Sequence, residues 1–224
     1  VGELEIAFDT ATAATVVAAS SPHELVTRRH DPGPGERPGH TAQLMALIEE
    51  AVVACGGTLG DVRRIGVGVG PGSFTGLRIG VATGRALALA TGAEVVPVST
   101  PDALAVAAGA REGTPILAAI DARRGEIFVT VWADGRRVHG PAAVRPEALA
   151  GLVAEHAPGA LAVGDGAVRY RDVLEAAGVE VPADSDTRNL VYGSPLMELA
   201  DLGTPIPRTD LAPDYVRRPD VDDR

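Results

Sequence analysis

The chain has 224 residues, of which 46% are hydrophobic and 3% aromatic; its 20 basic residues are all arginine, and 30 acidic residues leave a formal charge of −10. Such a chain can build one large domain or two small lobes around a real core, and it is neither disordered nor fibrous. The acid excess and the few rings exclude a broad, non-specific grip on nucleic acid, and the absence of lysine excludes a Walker A lysine, a Schiff-base lysine, a Ser-Lys dyad and the ATP-pairing lysine of protein kinases.

In chain order, an alternating strand is predicted at residues 4–8, ending at Asp9, with further strands at 15–19 and 25–29. A loop rich in proline and glycine, 31–39, leads to His40. Beyond it Leu44, Leu47, Ile48, Ala51, Val52 and Cys55 recur at helical spacing, with Thr41 as the N-cap and Gly56-Gly57 as the stop. Cys55, the single cysteine, rules out an internal disulfide framework, suits a reducing cytosol and reads as a buried inert thiol. A strand follows at 65–69, whose interspersed glycines imply close approach of another element. Next come the segment Gly70-Pro-Gly-Ser-Phe-Thr-Gly-Leu-Arg-Ile-Gly80 and a helix at 76–90. The longest apolar stretch, 81–98, is interrupted by Arg85 and Glu94, and the start lacks a basic-then-apolar signal pattern, so a cytoplasmic location without membrane contact is expected.

The second half repeats this plan. A strand at 116–120 ends at Asp121, an alternating strand occupies 126–132, and helical patterns at 146–155 and 170–177 flank a strand at 161–163 that runs into Gly164-Asp165-Gly166. Strand-Asp-turn-strand and strand-Gly-x-Gly-helix thus each occur twice, which predicts an α/β fold of two related lobes, 1–100 and 101–224. This duplication resembles the actin, Hsp70 and sugar-kinase superfamily, in which the corresponding turns grip a nucleotide between the lobes. Here the turns read Asp9-Thr10-Ala11-Thr12 and Asp121-Ala-Arg-Arg-Gly125. Glycine is missing from one and delayed in the other, as in a degenerate or lost nucleotide site.

The 70–80 segment misses G-x-G-x-x-G by one residue, has no Walker lysine, and carries Pro71 where a nucleophile elbow needs glycine. What remains is a helix start capped by Ser73 or Thr75, whose free N–H groups either satisfy their own turn or take an anion. Arg78 opposes the helix dipole there, at a cost of roughly 0.3–1 kcal/mol, which calls for a neighbouring acid, a partner or a phosphate. Asp9, Thr10, Ser73, Thr75, Arg78 and Asp121 are the candidate anion or degenerate nucleotide site. Asp9 and Asp121 suit an acid, a base or a magnesium ligand, or simply cap their own turns.

Gly76, Gly80, Gly84 and Ala88 recur every fourth residue, a stripe that admits either this chain's own sheet or a helix of another chain. With Leu44, Leu47, Ile48 and Arg85 they form the candidate partner interface. The five histidines lack H-x-x-x-H or H-E-x-x-H spacing, and position 44, which would pair with His40, is leucine; no metal, cofactor or catalytic residue is expected.

Taken in order, Ile6-Ala-Phe-Asp-Thr-Ala-Thr12, His40, the 70–80 segment, Asp121-Ala-Arg-Arg-Gly-Glu-Ile-Phe128, Gly164-Asp-Gly166 and Pro213-Asp-Tyr-Val-Arg217 resemble the TsaB (YeaZ) family of the bacterial tRNA threonylcarbamoyladenosine pathway. Departures lie at 189–199 and in His40-Thr-Ala-Gln43, where the family commonly has His-Ser-Glu. The resemblance implies a non-catalytic partner that stabilises or activates a TsaD-like catalytic subunit. That subunit transfers threonylcarbamoyl to N6 of a tRNA adenosine with the help of a TsaE-like ATPase. It further implies pairing through first-lobe helices, a homodimer over an overlapping surface, and contact with tRNA only through the partner. The rival readings are a glycoprotease-type metallopeptidase and an ATP-dependent enzyme of the same superfamily.

Overall fold

The structure is a computed structural model that describes residues 3–110 and 113–216; Arg217 of the last motif lies outside them. In β1 (Leu4–Asp9), Ile6 and Phe8 point to one face and Ala7 to the other, and all three are buried, so this strand lies inside a sheet covered on both sides. β2 (Thr15–Ser20) pairs antiparallel with β1, and β3 (Leu25–His30) antiparallel with β2. β4 (Val62–Gly70) and β5 (Glu94–Ser99) add in parallel on the other side, giving the order β3-β2-β1-β4-β5. The second sheet, with β6 (Ile116–Arg123), β7 (Glu126–Ala133), β8 (Arg136–Val144) and β9 (Leu161–Val163), has the order β8-β7-β6-β9. Its first strand again pairs antiparallel with the next and parallel with the strand that returns after a helix, which repeats the first sheet without its fifth strand.

Five layers result. α1 (His40–Ala54) and α2 (Phe74–Thr91) cover the outer face of the first sheet, where Leu44, Ile48 and Val81 pack on Ile6, Phe8 and Ile65. α3 (Thr100–Ala107) fills the middle layer and lies in contact with α7 (Gly193–Leu202). There Leu104, Leu196 and Met197 join Ala7 and Ala18 of one sheet to Ala118 and Ile120 of the other. α4 (Leu149–His156), α5 (Asp165–Arg169) and α6 (Arg171–Ala176) follow in the second half. Leu149, Val153, Ala167 and Leu174 from these helices cover the far face of the second sheet.

Several boundaries differ from the sequence expectation for local reasons. α1 starts at His40 with Gly39 as a cap that makes no side-chain bond, so Thr41 lies within the helix. Ser73, not Thr75, caps α2 by accepting the Gly76 N–H at 3.3 Å. The helical pattern at 170–177 begins earlier, at Asp165, and is broken at Tyr170. β5 and β8 were not expected, since each contains a proline, Pro97 or Pro141, and both are edge strands, where a missing N–H is tolerated.

Candidate interlobe cleft

The carboxyl end of β1 and the start of α2 face the carboxyl end of β6 and the start of α5 across a cleft of about 220 Å³. Its lining includes Ala11, Ser73, Phe74 and Thr75 from the first half, with Asp121, Arg123, Phe128 and Asp165 from the second. A hollow of about 140 Å³ adjoins it and reaches Arg29 and Asn189.

Of the six candidate anion-site residues, Ser73, Thr75 and Asp121 line the cleft. Asp9 is buried and accepts the Ala11 N–H at 2.7 Å and the Thr100 hydroxyl at 2.6 Å; burial pushes its carboxyl above the ordinary range, against the pull of both bonds. Thr10 is buried and donates to the Gly76 carbonyl at 2.8 Å. Both side chains therefore hold the turn together and do not face the cleft. Among the described residues Arg78 meets rings and not the neighbouring acid expected for it. Its guanidinium lies 3.9 Å from the centroid of the Phe74 ring and donates to the Tyr215 hydroxyl at 3.2 Å, so an aromatic pair offsets the unfavourable dipole.

The opposite wall is charged. The Asp121 carboxylate accepts the Arg123 N–H at 2.9 Å and ion-pairs with Arg123 at 3.2 Å and Arg169 at 3.6 Å. Asp165 accepts the Asp121 N–H at 3.1 Å; burial raises its carboxyl pKa, and the neighbouring Asp121 charge adds to that. Arg123 and Arg124 both adopt positive φ, 62° and 52°, an expensive conformation for arginine at a hairpin tip. Sequence reasoning quoted Asp165 and the two arginines as motif letters but gave them no role. The signal was their position, since each follows the second copy of a repeated strand.

The candidate interface residues divide cleanly. Leu44, Leu47, Ile48 and Ala88 are buried in this chain's own core. A Cβ on Gly76 would strike the Thr10 carbonyl, one on Gly80 would lie 2.6 Å from Thr10 Oγ1, and one on Gly84 2.6 Å from Val67 Cγ2. The stripe of small residues thus packs α2 closely on the turn after β1 and on β4 of this chain. Arg85 donates to the carbonyls of Leu211 at 2.8 Å and Thr209 at 2.7 Å. The outward apolar side chains of this helix pair are Met45, Val53, Phe74 and Leu89, which sequence periodicity did not single out.

His40 is buried at the head of α1, with Nδ1 2.8 Å from the Thr15 hydroxyl and Nε2 without a hydrogen-bond partner among the described residues; burial lowers its pKa. Among the described residues no group of three or more His, Cys, Asp or Glu has the arrangement of a metal site. Among the described residues no helix is long and apolar enough to cross a membrane.

Two sheets with a repeated strand order, helices between and outside them and a cleft at the strand ends define the actin and sugar-kinase fold class. A ROK hexokinase from Thermus thermophilus shares it at a TM-score of 0.51 and 16% identity, over 89% of this chain and 99% of that one. The family model described as TsaD, tRNA N6-adenosine threonylcarbamoyltransferase, matches residues 37–173. The TsaB protein of tRNA threonylcarbamoyladenosine biosynthesis from Escherichia coli K12 is 37% identical over 133 residues, covering 59% of this chain and 54% of that protein, so the match spans about half of the relative. A solved Pseudomonas aeruginosa structure, of an uncharacterized protein with similarity to peptidase YeaZ, aligns at a TM-score of 0.79 and 26% identity over 96% of this chain and 100% of that one. The chain belongs to this family, and within it to the TsaB/YeaZ group.

Proposed function

We propose that the chain acts in forming N6-threonylcarbamoyladenosine in tRNA, as a non-catalytic subunit that stabilises or activates a TsaD-like transferase. The observation that carries this reading is the joint match to the TsaD family model and to a relative named TsaB. The site supports it: His40 is engaged with Thr15, position 44 is a core leucine, Asp9 is bonded to Ala11 and Thr100, and Thr10 to Gly76 of α2. In this reading the lobes are 1–100 and 101–224, and the partner binds the first lobe through the exposed faces of α1 and α2, around Met45, Val53, Phe74 and Leu89. A TsaE-like ATPase joins through the complex, tRNA is reached through the partner, a second copy of this chain competes for the same surface, and the assembly works in the cytoplasm.

The test is a pull-down from native lysate, with modified tRNA measured after depletion of the chain. Recovery of a TsaD-like protein and loss of the modification are expected; an intact reconstituted pathway without this chain refutes the proposal. A second reading, weak anion or nucleotide binding in the cleft, draws on the free helix start at Ser73 and Thr75 facing Arg123. Isothermal titration with magnesium ATP tests it, and turnover of ATP or of a peptide would favour the enzymatic rivals.

A further inference from the structure

After α7 the chain runs back along the first lobe and ends its described course beside the cleft. Ile206 donates its N–H to the Val95 carbonyl of edge strand β5 at 2.9 Å. Arg85 holds the next stretch by the carbonyls of Thr209 and Leu211, and the Leu211 side chain is fully buried against α2, 3.4 Å from the place a Gly84 Cβ would take. Asp214 then donates its N–H to the Val69 carbonyl at the end of β4, at 2.8 Å. Tyr215 sets its ring 5.4 Å from that of Phe74 and accepts from Arg78, and Val216 packs against the core cluster that joins the two sheets.

The two ends of this segment differ in strength. Residues 206–211 combine backbone pairing, a double arginine contact and a buried leucine. Among the described residues the end at 214–216 rests on one backbone bond, a Tyr215 ring that is 39% exposed and held by Arg78 and Phe74, and a partly buried valine. This weaker end is the one that reaches both halves. It props Phe74, which lines the cleft, from behind, and the Asp214 carboxyl feels the charge of Arg137 on β8 of the second sheet. Arg137 is itself paired with Asp102 at the start of α3. Segments with few buried contacts open first.

We infer that residues 206–216 form a strap with a fixed root on β5 and α2 and a releasable latch at Tyr215–Val216, and that the latch sets the separation of the two lobes at the cleft mouth. With the latch seated, Phe74 is fixed at the rim and the second lobe is tied through Val216. With it released, the second lobe swings away on the middle layer, and the start of α2 and the 121–126 hairpin separate. Whatever binds at the cleft mouth or on the start of α2 then biases one state over the other. The inference concerns the isolated chain and stands apart from the proposed function.

Spin labels at Ala42→Cys on α1 and Glu147→Cys beyond β8, in a Cys55→Ser background, report the distance between lobes by double electron–electron resonance. The parent is expected to give one narrow distribution, and Tyr215→Ala to add a longer-distance population. Hydrogen exchange at residues 74–78 and 121–126 should quicken about tenfold, while exchange in α4 stays as in the parent. Arg85→Ala, which loosens the root, is the second variant and should produce the same shift even if Tyr215→Ala is poorly folded. Unchanged distance distributions and unchanged exchange at both segments, in either folded variant, overturn the latch.

Discussion

Asp9 and Asp121 both stand in the first strand of their sheet, and each accepts the backbone N–H two residues on, at 2.7 and 2.9 Å. Around Asp9 the space is closed: Thr100 supplies a second donor, Gly76 and Gly80 bring α2 onto Thr10, and Ser73 caps an 18-residue helix. Around Asp121 the cover is charged: its side chain is only 6% exposed, but what lies over it is the solvated Arg123 and Arg169, beside a strained hairpin tip and a helix of five residues. One topological plan has thus become an anchor sealed by packed backbone in the first lobe and a carboxylate covered by exposed arginines in the second. The difference lies in what surrounds the shared hydrogen bond, and mutation can measure it.

The largest expected effect is Gly76→Val, whose side chain has no room beside the Thr10 carbonyl; a loss of about 3 kcal/mol or more is expected in denaturant unfolding. Its counterpart Gly166→Val meets the backbone of Ile120 with a Cβ 2.8 Å away, but α5 is short and can shift, so about half that loss is expected. Equal losses would show that the second turn is as rigid as the first.

Next comes Asp9→Ala, which strands the Ala11 N–H and the Thr100 hydroxyl in the interior and should cost about 3 kcal/mol. Asp121→Ala should cost less, about 1–2 kcal/mol: its carboxylate is covered and accepts the Arg123 N–H, but the partners it would strand are exposed and can turn to water. Thermal unfolding of the pair decides, and a reversal of their order refutes the distinction between sealed anchor and arginine cover.

A smaller effect is pH dependence, to which Glu5 in the first half and His139 in the second contribute with opposite signs. Burial, a hydrogen bond with Asp201 and the Asp201 charge raise Glu5 of β1 from 4.5 to about 7, against the pull of Arg64. The folded chain therefore holds a proton that the unfolded chain has released, so this contribution falls as pH rises from about 4.5 to 7 and is absent above that. Glu5→Gln should flatten that slope. In the second half His139 stacks on His156 at 4.4 Å, and burial, followed by the His156 charge, lowers its pKa below 6.5, so its contribution is lost as pH falls below that value. His139→Phe should remove the acid-side loss. Melting curves from pH 5 to 8 separate the two, and slopes unchanged by either variant would refute both assignments.

The smallest effect expected is on binding. Leu89→Ser and Val53→Ser, on the outward faces of α2 and α1, should leave the melting temperature within about 2 °C, the scale of a surface change of about 0.5 kcal/mol, and weaken capture of a TsaD-like partner in pull-down. Retained capture would move the interface elsewhere.

Much of the fold was legible because strands and helices here leave simple marks: residues 4–8 alternate, 15–19 and 25–29 are short runs rich in β-branched residues, and Leu44 to Cys55 keep helical spacing. The repeat was legible for the same reason, since each sheet begins with a strand, an Asp and a turn. α3 and α7 were not read as helices: α3 is eight residues long and opens with Thr100-Pro101, and α7 opens with Gly193-Ser-Pro195, so both begin like loops. The candidate site was half legible. Periodicity found Leu44, Leu47 and Ile48 but could not tell an inner face from an outer one, because a sheet and a partner helix ask for the same residues.

By itself the sequence determined the two-lobed plan, a capped start for α2 and the small-residue stripe, because these depend on spacing and on properties of single residues. Tertiary structure alone decided that Ser73 rather than Thr75 is the cap, what met that stripe, that Asp9 is sealed by packed backbone while Asp121 is covered by exposed arginines, and that Arg78 rests on two rings. Those outcomes depend on which distant segments arrive beside a residue, and residues such as Tyr215 or Thr100 reach their partners only after long stretches of chain have folded between them.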